Sequence, residues 1–77
     1  MSDKMAGPVT IVLNGDPFEV PGPPGHLTVG DLLARLDIDS RRVAVEHNRV
    51  VLKRATFDAT PVRDGDEVEI VNFVGGG

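Results

Sequence analysis

Apolar residues fall in short runs separated by turn residues. Val9-Thr10-Ile11-Val12-Leu13 is β-branched and apolar almost throughout, which predicts a strand buried on much of both faces. Asn14-Gly15 follows, a pair that suits the positive dihedrals of a tight hairpin turn. Asp16-Pro17-Phe18-Glu19-Val20 is then the returning strand. Pro17 near its start and Pro21 at its end predict an edge strand, where a missing backbone donor is tolerated. Pro21-Gly22-Pro23-Pro24-Gly25 is a loop, too short for a polyproline ligand. The period then changes. Val29, Leu32, Leu33 and Leu36 form one apolar stripe at helical spacing, over a short helix from Val29 to Leu36 or Asp37. Thr28 is its N-cap, and Asp31 three positions later makes a capping box with Asp in place of Glu. Gly30 inside this helix predicts close packing against a neighbouring backbone.

The second half returns to strands. Arg42-Val43-Ala44-Val45-Glu46 reads as a third strand, His47-Asn48-Arg49 as a turn and Val50-Val51-Leu52 as a short fourth strand. Residues 53–62 are irregular, with Phe57 as their core anchor. Arg63-Asp64-Gly65-Asp66 is a turn in which Gly65 supplies a positive φ. The last strand, Glu67 to Phe73, alternates at first: Val68 and Ile70 face one side, Glu67 and Glu69 the other. Then the apolar phase shifts, and Val71 and Phe73 fall on the face of the two glutamates. Apolar groups on an outward face suit a contact surface.

This order predicts an α+β fold: a mixed sheet of four to five strands, with one helix covering one face. The connection from the second strand through the helix to the third closes a β-grasp arrangement, with first and last strands parallel at the centre. Residues 1–77 form one domain, with residues 1–8 as a loose lead-in and 74–77 as a flexible tail. Met5 is an alternative start.

Composition narrows the chemistry. The chain has no cysteine, which excludes disulfides, thiolate metal sites and a side-chain thiol nucleophile. A net charge of −4 disfavours nucleic acid and anionic membrane as partners. No apolar run approaches the ~20 residues of a membrane span, and Met1-Ser2-Asp3-Lys4 lacks a signal-peptide pattern. The expectation is a cytoplasmic protein, monomeric when free.

Little remains for catalysis within the chain. His26 lies in the Pro/Gly loop and His47 in a turn, both read as solvated. The acidic cluster Asp64, Asp66, Glu67 and Glu69 lacks the twelve-residue loop of an EF-hand and reads as a solvated turn. No phosphate-binding glycine loop, HExxH or Gly-x-Ser-x-Gly is present. Arg41, Arg42, Arg49, Lys53 and Arg54 are basic without interleaved aromatics. The unusual group is the ending, Val74-Gly75-Gly76-Gly77. Three extended glycines reach roughly 10 Å beyond the strand and would thread a narrow channel with one carboxylate at the tip. The plain alternative is a frayed terminus. A carboxylate is a poor electrophile, so a partner enzyme using ATP would have to activate it as an acyl-adenylate.

The chain resembles the ThiS family of sulfur carriers in thiamine thiazole biosynthesis. The resemblance rests on Asn14-Gly15, Thr28-Val29 with Leu32-Leu33 and Leu36, and Val43-Ala44-Val45-Glu46 with Asn48. It continues in Asp64-Gly65-Asp66 with Val68-Glu69-Ile70-Val71, and in Val74-Gly75-Gly76-Gly77. It implies a ubiquitin-like β-grasp fold and a carrier that is not itself an enzyme. It further implies adenylation of Gly77 by a ThiF-like adenylyltransferase, with ATP bound by that partner and no cofactor or metal on this chain. A sulfur donor protein would then supply the sulfur of a Gly77 thiocarboxylate, which the thiazole synthase ThiG would consume. Gly75 and Gly76 would give unhindered approach, and Val71, Phe73 and Val74 would meet partners. Asn48-Arg49 departs from a frequent Asn-Gly, which puts that turn's geometry in question, and Leu52-Lys53-Arg54 replaces a frequent Pro-Arg. Alternatives are a MoaD-like carrier of molybdopterin synthase, a carrier for another sulfur pathway, a ubiquitin-like protein modifier, or a binding-only β-grasp module.

Overall fold

The computed structural model describes residues 8–23 and 25–73. The expected lead-in through Gly7 and the tail 74–77 lie outside the described residues. Five strands form one mixed sheet: β1 (Thr10–Leu13), β2 (Asp16–Glu19), β3 (Val43–His47), β4 (Val50–Val51) and β5 (Glu67–Asn72). Their order is β2-β1-β5-β3-β4, so β5 is central and parallel to β1, as the order of elements predicts. β2 is an edge strand, which accommodates Pro17. One helix, α1 (Val29–Arg35), covers one face, and short 3-10 helices span Ser40–Arg42 and Arg54–Ala59.

Helix α1 starts and stops by local hydrogen bonding. The Asp31 N–H donates to Thr28 Oγ1 at 3.0 Å, and the Thr28 N–H donates to Asp31 Oδ2 at 3.0 Å, completing the capping box. The Asp31 carboxyl is held below its usual value chiefly by that Thr28 backbone donor. At the other end Asp37 takes φ +60, the Asp37 N–H donates to Ala34 O and the Ile38 N–H to Leu33 O. This is a Schellman close with Asp where glycine is usual. Arg35 donates to Pro21 O and Pro23 O, tying the Pro/Gly loop to the helix.

The core lies between α1 and one sheet face. Val29, Leu32 and Leu33 from the helix pack with Ile11, Val45 and Val68 from the three central strands, each at most 1% exposed. Phe57 is buried at 4% and anchors its segment as expected, although Arg54–Ala59 within the stretch read as irregular is a 3-10 helix. Three expectations need correction. The first strand is buried on one face only: Ile11 is inside, whereas Val12 is 36% exposed. Its apolar run misleads because the helix covers just one side of the sheet. At Gly30 the close neighbour is the Asp58 side chain, which a Cβ there would strike. His47 is not a solvated turn residue. It closes β3, and its side chain is 16% exposed against Asp66.

The turn after β3 keeps tight hairpin geometry despite the missing glycine. Asn48 has φ +50 and Arg49 φ +71, so Arg49 sits in the left-handed region that costs a side-chain-bearing residue about 1 kcal/mol or more.

Candidate functional site

Strand β5 joins the core to a second, bare surface. Val68 points into the core at 0% exposed, while Val71 and Phe73 point away from the helix at 58% and 60% exposed. The shift of apolar phase read from the sequence is therefore real. The strand register adds more of this face. Val71 sits beside Ala44, Glu69 beside Glu46, Glu46 beside Val51, and Glu67 beside Val12. Val51 is 69% exposed. The bare face thus has an apolar strip formed by Val51, Ala44, Val71 and Phe73, and carboxylates at Glu46, Glu67 and Glu69. Sequence reasoning missed Val12, Ala44 and Val51, since only the pairing register shows which of their faces they share.

Hydrogen bonds grip β5 along its length. The Phe73 N–H donates to Arg42 O at 2.9 Å, on the β3 side. On the β1 side, Val12 N–H donates to Asp66 O and Asn14 N–H to Val68 O, both at 2.9 Å. Beyond Leu13 the chain turns away into its hairpin. There the Asn14 carboxamide continues the ladder: Ile70 N–H donates to Asn14 Oδ1 at 2.8 Å, and Asn14 Nδ2 donates to Ile70 O at 3.2 Å.

A second asparagine holds the other end of the strand. Asn48 Oδ1 accepts from Glu67 N–H at 2.9 Å, and Asn48 Nδ2 donates to Asp66 Oδ1 at 3.2 Å. Asp66 also accepts from Arg63 N–H at 2.8 Å and pairs with His47 Nε2 at 2.8 Å. Partial burial pushes the Asp66 carboxyl up, but Arg63, His47 and Asn48 together outweigh that and hold it below the usual range. Of the acidic cluster, then, Asp66 is a structural node, while Glu67 and Glu69 are exposed. Three of the basic residues form surface pairs: Arg41 and Arg42 with Asp39, and Arg49 with Glu67 at 3.3 Å.

Among the described residues no three His, Asp or Glu side chains converge as a metal set, and no helix is long and apolar enough to cross a membrane. Of the expected site residues, Val71 and Phe73 stand together on the bare face. Val74, Gly75, Gly76 and Gly77 lie outside the described residues, directly beyond this strand.

Known proteins share this sequence and shape. The sequence model of the ThiS family matches residues 11–77 and so runs through Gly77. The crystal structure of a thiamine biosynthesis protein (ThiS) from Geobacter metallireducens is 44% identical with a TM-score of 0.76, covering 90% of this chain and 100% of that one. A thiazole synthase of Paramagnetospirillum magneticum is 40% identical over 67 residues, 87% of this chain but only 20% of that protein. The sulfur carrier protein ThiS of Bacillus subtilis is 38% identical over 50 residues, 65% of this chain and 76% of that one. A shared ubiquitin-like β-grasp fold, together with a family match from the first strand to the last glycine, leads to one conclusion: the chain belongs to the ThiS family.

Proposed function

We propose that this chain is a sulfur carrier for thiazole formation in thiamine biosynthesis, with the Gly77 carboxyl as the sulfur-bearing group. The observation that carries the reading is the family match through Gly77, five residues beyond a central strand gripped on both sides. The thiazole synthase relative supports the thiazole pathway over a molybdopterin one, because a fifth of that protein is similar to nearly all of this chain.

The chemistry follows from the carboxyl group. A ThiF-like adenylyltransferase joins the Gly77 carboxylate to the AMP of ATP and releases pyrophosphate. Sulfide-level sulfur from a donor protein then attacks the acyl carbon, and AMP leaves with the bonding electrons. The resulting thiocarboxylate gives its sulfur to the thiazole synthase, and the carboxylate returns when water takes the place of sulfur. ATP belongs to the partner. This chain contributes the carboxyl, an unhindered approach through Gly75 and Gly76, and the surface that partners hold. Val71 and Phe73 supply apolar contact, with Val74 leading from them into the tail, and Glu67 and Glu69 favour a basic rim on the partner.

Intact-mass analysis tests this. Incubation with ATP, the adenylyltransferase and a sulfur source is expected to replace one oxygen by sulfur, and removal of Gly77 is expected to abolish the change. No mass change with a partner shown to be active on another carrier would overturn the reading.

A further inference from the structure

Strand β5 is held unequally over the half nearest the tail. On the β3 side its pairing continues through Asn72, opposite Val43, and then through the Phe73 N–H to Arg42 O. On the β1 side strand pairing stops at Val68, opposite Leu13. The next backbone groups facing that side are those of Ile70, because successive N–H groups of a strand point to opposite edges. Both Ile70 groups are taken by one side chain, the Asn14 carboxamide, at 2.8 and 3.2 Å. Asn14 has φ +50 and is followed by Gly15 at φ +88, a turn that glycine at the first position would also satisfy. Turn geometry alone therefore does not require the carboxamide.

We propose that Asn14 is a positioning residue: its side chain takes the place of the missing stretch of β1 and fixes the direction in which β5 delivers the tail. This rests on the carrier reading above for its purpose, though not for its geometry. Gly77 is seven residues beyond Ile70. The last four residues, if extended, span about 13 Å, so a swing of about 20° at the base moves their end by about 4–5 Å. Misplacement of a reacting group on that scale costs rate even when the partner still binds.

The experiment combines two readouts on the full chain. Amide exchange at Ile70 and backbone order parameters at Asn72 and Phe73 are measured for the wild type, Asn14→Gly and Asn14→Asp. Asn14→Gly keeps the turn and removes both contacts. Asn14→Asp keeps the acceptor for the Ile70 N–H but sets a carboxylate oxygen against Ile70 O. For Asn14→Gly, exchange at Ile70 is expected to rise about tenfold, and the order parameters at Asn72 and Phe73 to fall from about 0.85 toward 0.6. Asn14→Asp is expected to keep Ile70 protected and still loosen Asn72, so it decides the matter if Asn14→Gly does not fold.

Single-turnover adenylation is then expected to slow about fivefold or more at unchanged partner Kd. Val29→Ala, a core change in the first turn of α1 and outside the sheet, separates positioning from general loss of stability: it is expected to lower the urea midpoint and leave order at Asn72 intact. Unchanged order at Asn72 and Phe73 in both Asn14 variants, or an equal loss in Val29→Ala, overturns the proposal. If the wild type is not adenylated, the carrier reading fails, and the order parameters still decide whether Asn14 holds the strand.

Discussion

Replacing Phe73 by alanine separates docking from folding. Phe73 is 60% exposed at the end of a strand whose core contacts are made by Val68 and Ile70. A phenylalanine side chain buries about 200 Å² when fully covered, so roughly 120 Å² remains available to a partner. At about 25 cal/mol per Å², covering it contributes up to ~3 kcal/mol, or about 100-fold in Kd. Incomplete coverage lowers this, so an expected loss of 10- to 100-fold brackets the effect. Folding stability should change by no more than about 0.5 kcal/mol, because the backbone bond to Arg42 survives the substitution. The assays are calorimetric titration of the two proposed partners, a ThiF-like adenylyltransferase and a thiazole synthase, each beside urea unfolding of the free carrier. Two results would refute the reasoning. A Kd within twofold of wild type for both partners would remove Phe73 from the interface. A stability loss above about 1.5 kcal/mol would show that it serves the core instead.

Two further predictions concern stability. Acid should weaken the fold only below about pH 4: Asp31, Asp66 and Asp39, the last held at about 2 chiefly by its hydrogen bond from the Arg41 side chain, are all lowered from 3.8. Groups with depressed folded pKa values contribute fully above the unfolded value and lose that contribution as pH falls through the folded one. Urea midpoints should therefore be flat from pH 7 to 5 and fall from pH 4 to 2, less steeply in Asp66→Asn. Arg49→Gly should raise stability by about 0.5–1 kcal/mol, a few degrees in Tm by thermal melting, because relief of the left-handed φ exceeds the loss of an exposed pair with Glu67.

The legible parts of this chain are those fixed by neighbours in sequence. Thr28 and Asp31 announce the helix start because a capping box spans three positions, and Asn14-Gly15 announces its turn for the same reason. The parity of Val71 and Phe73 against Glu67 and Glu69 places them on the bare face without any knowledge of the partner strands. The illegible parts depend on pairing register. His47 meets Asp66 across 19 positions, and Asn14 meets Ile70 across 56, so neither contact leaves a local signal. Val12 is apolar like Ile11, yet it lies on the uncovered side, because one helix shields one face only. The end of the helix was legible in position but not in means, since Asp37 closes it with a dihedral that glycine usually supplies.

One strand therefore answers two demands that pull against each other. A carrier needs a tail that is free to enter a partner and a domain that does not yield when the tail is held there. Placing that tail on an edge strand would leave its base hydrogen-bonded on one side, and edge pairs open at lower free energy than central ones. Here β5 is bonded to β3 along its length and to β1 at its start, with a side-chain carboxamide carrying the β1 side on to Ile70. Its inward Val68 is the most buried residue of the sheet, so displacing the strand means opening the core. Its outward residues are free of that duty, which is why the bare face can carry exposed valine and phenylalanine at little cost to the fold. Force applied at the tail is thus met by the whole sheet, while the proposed recognition surface uses side chains that the core does not need.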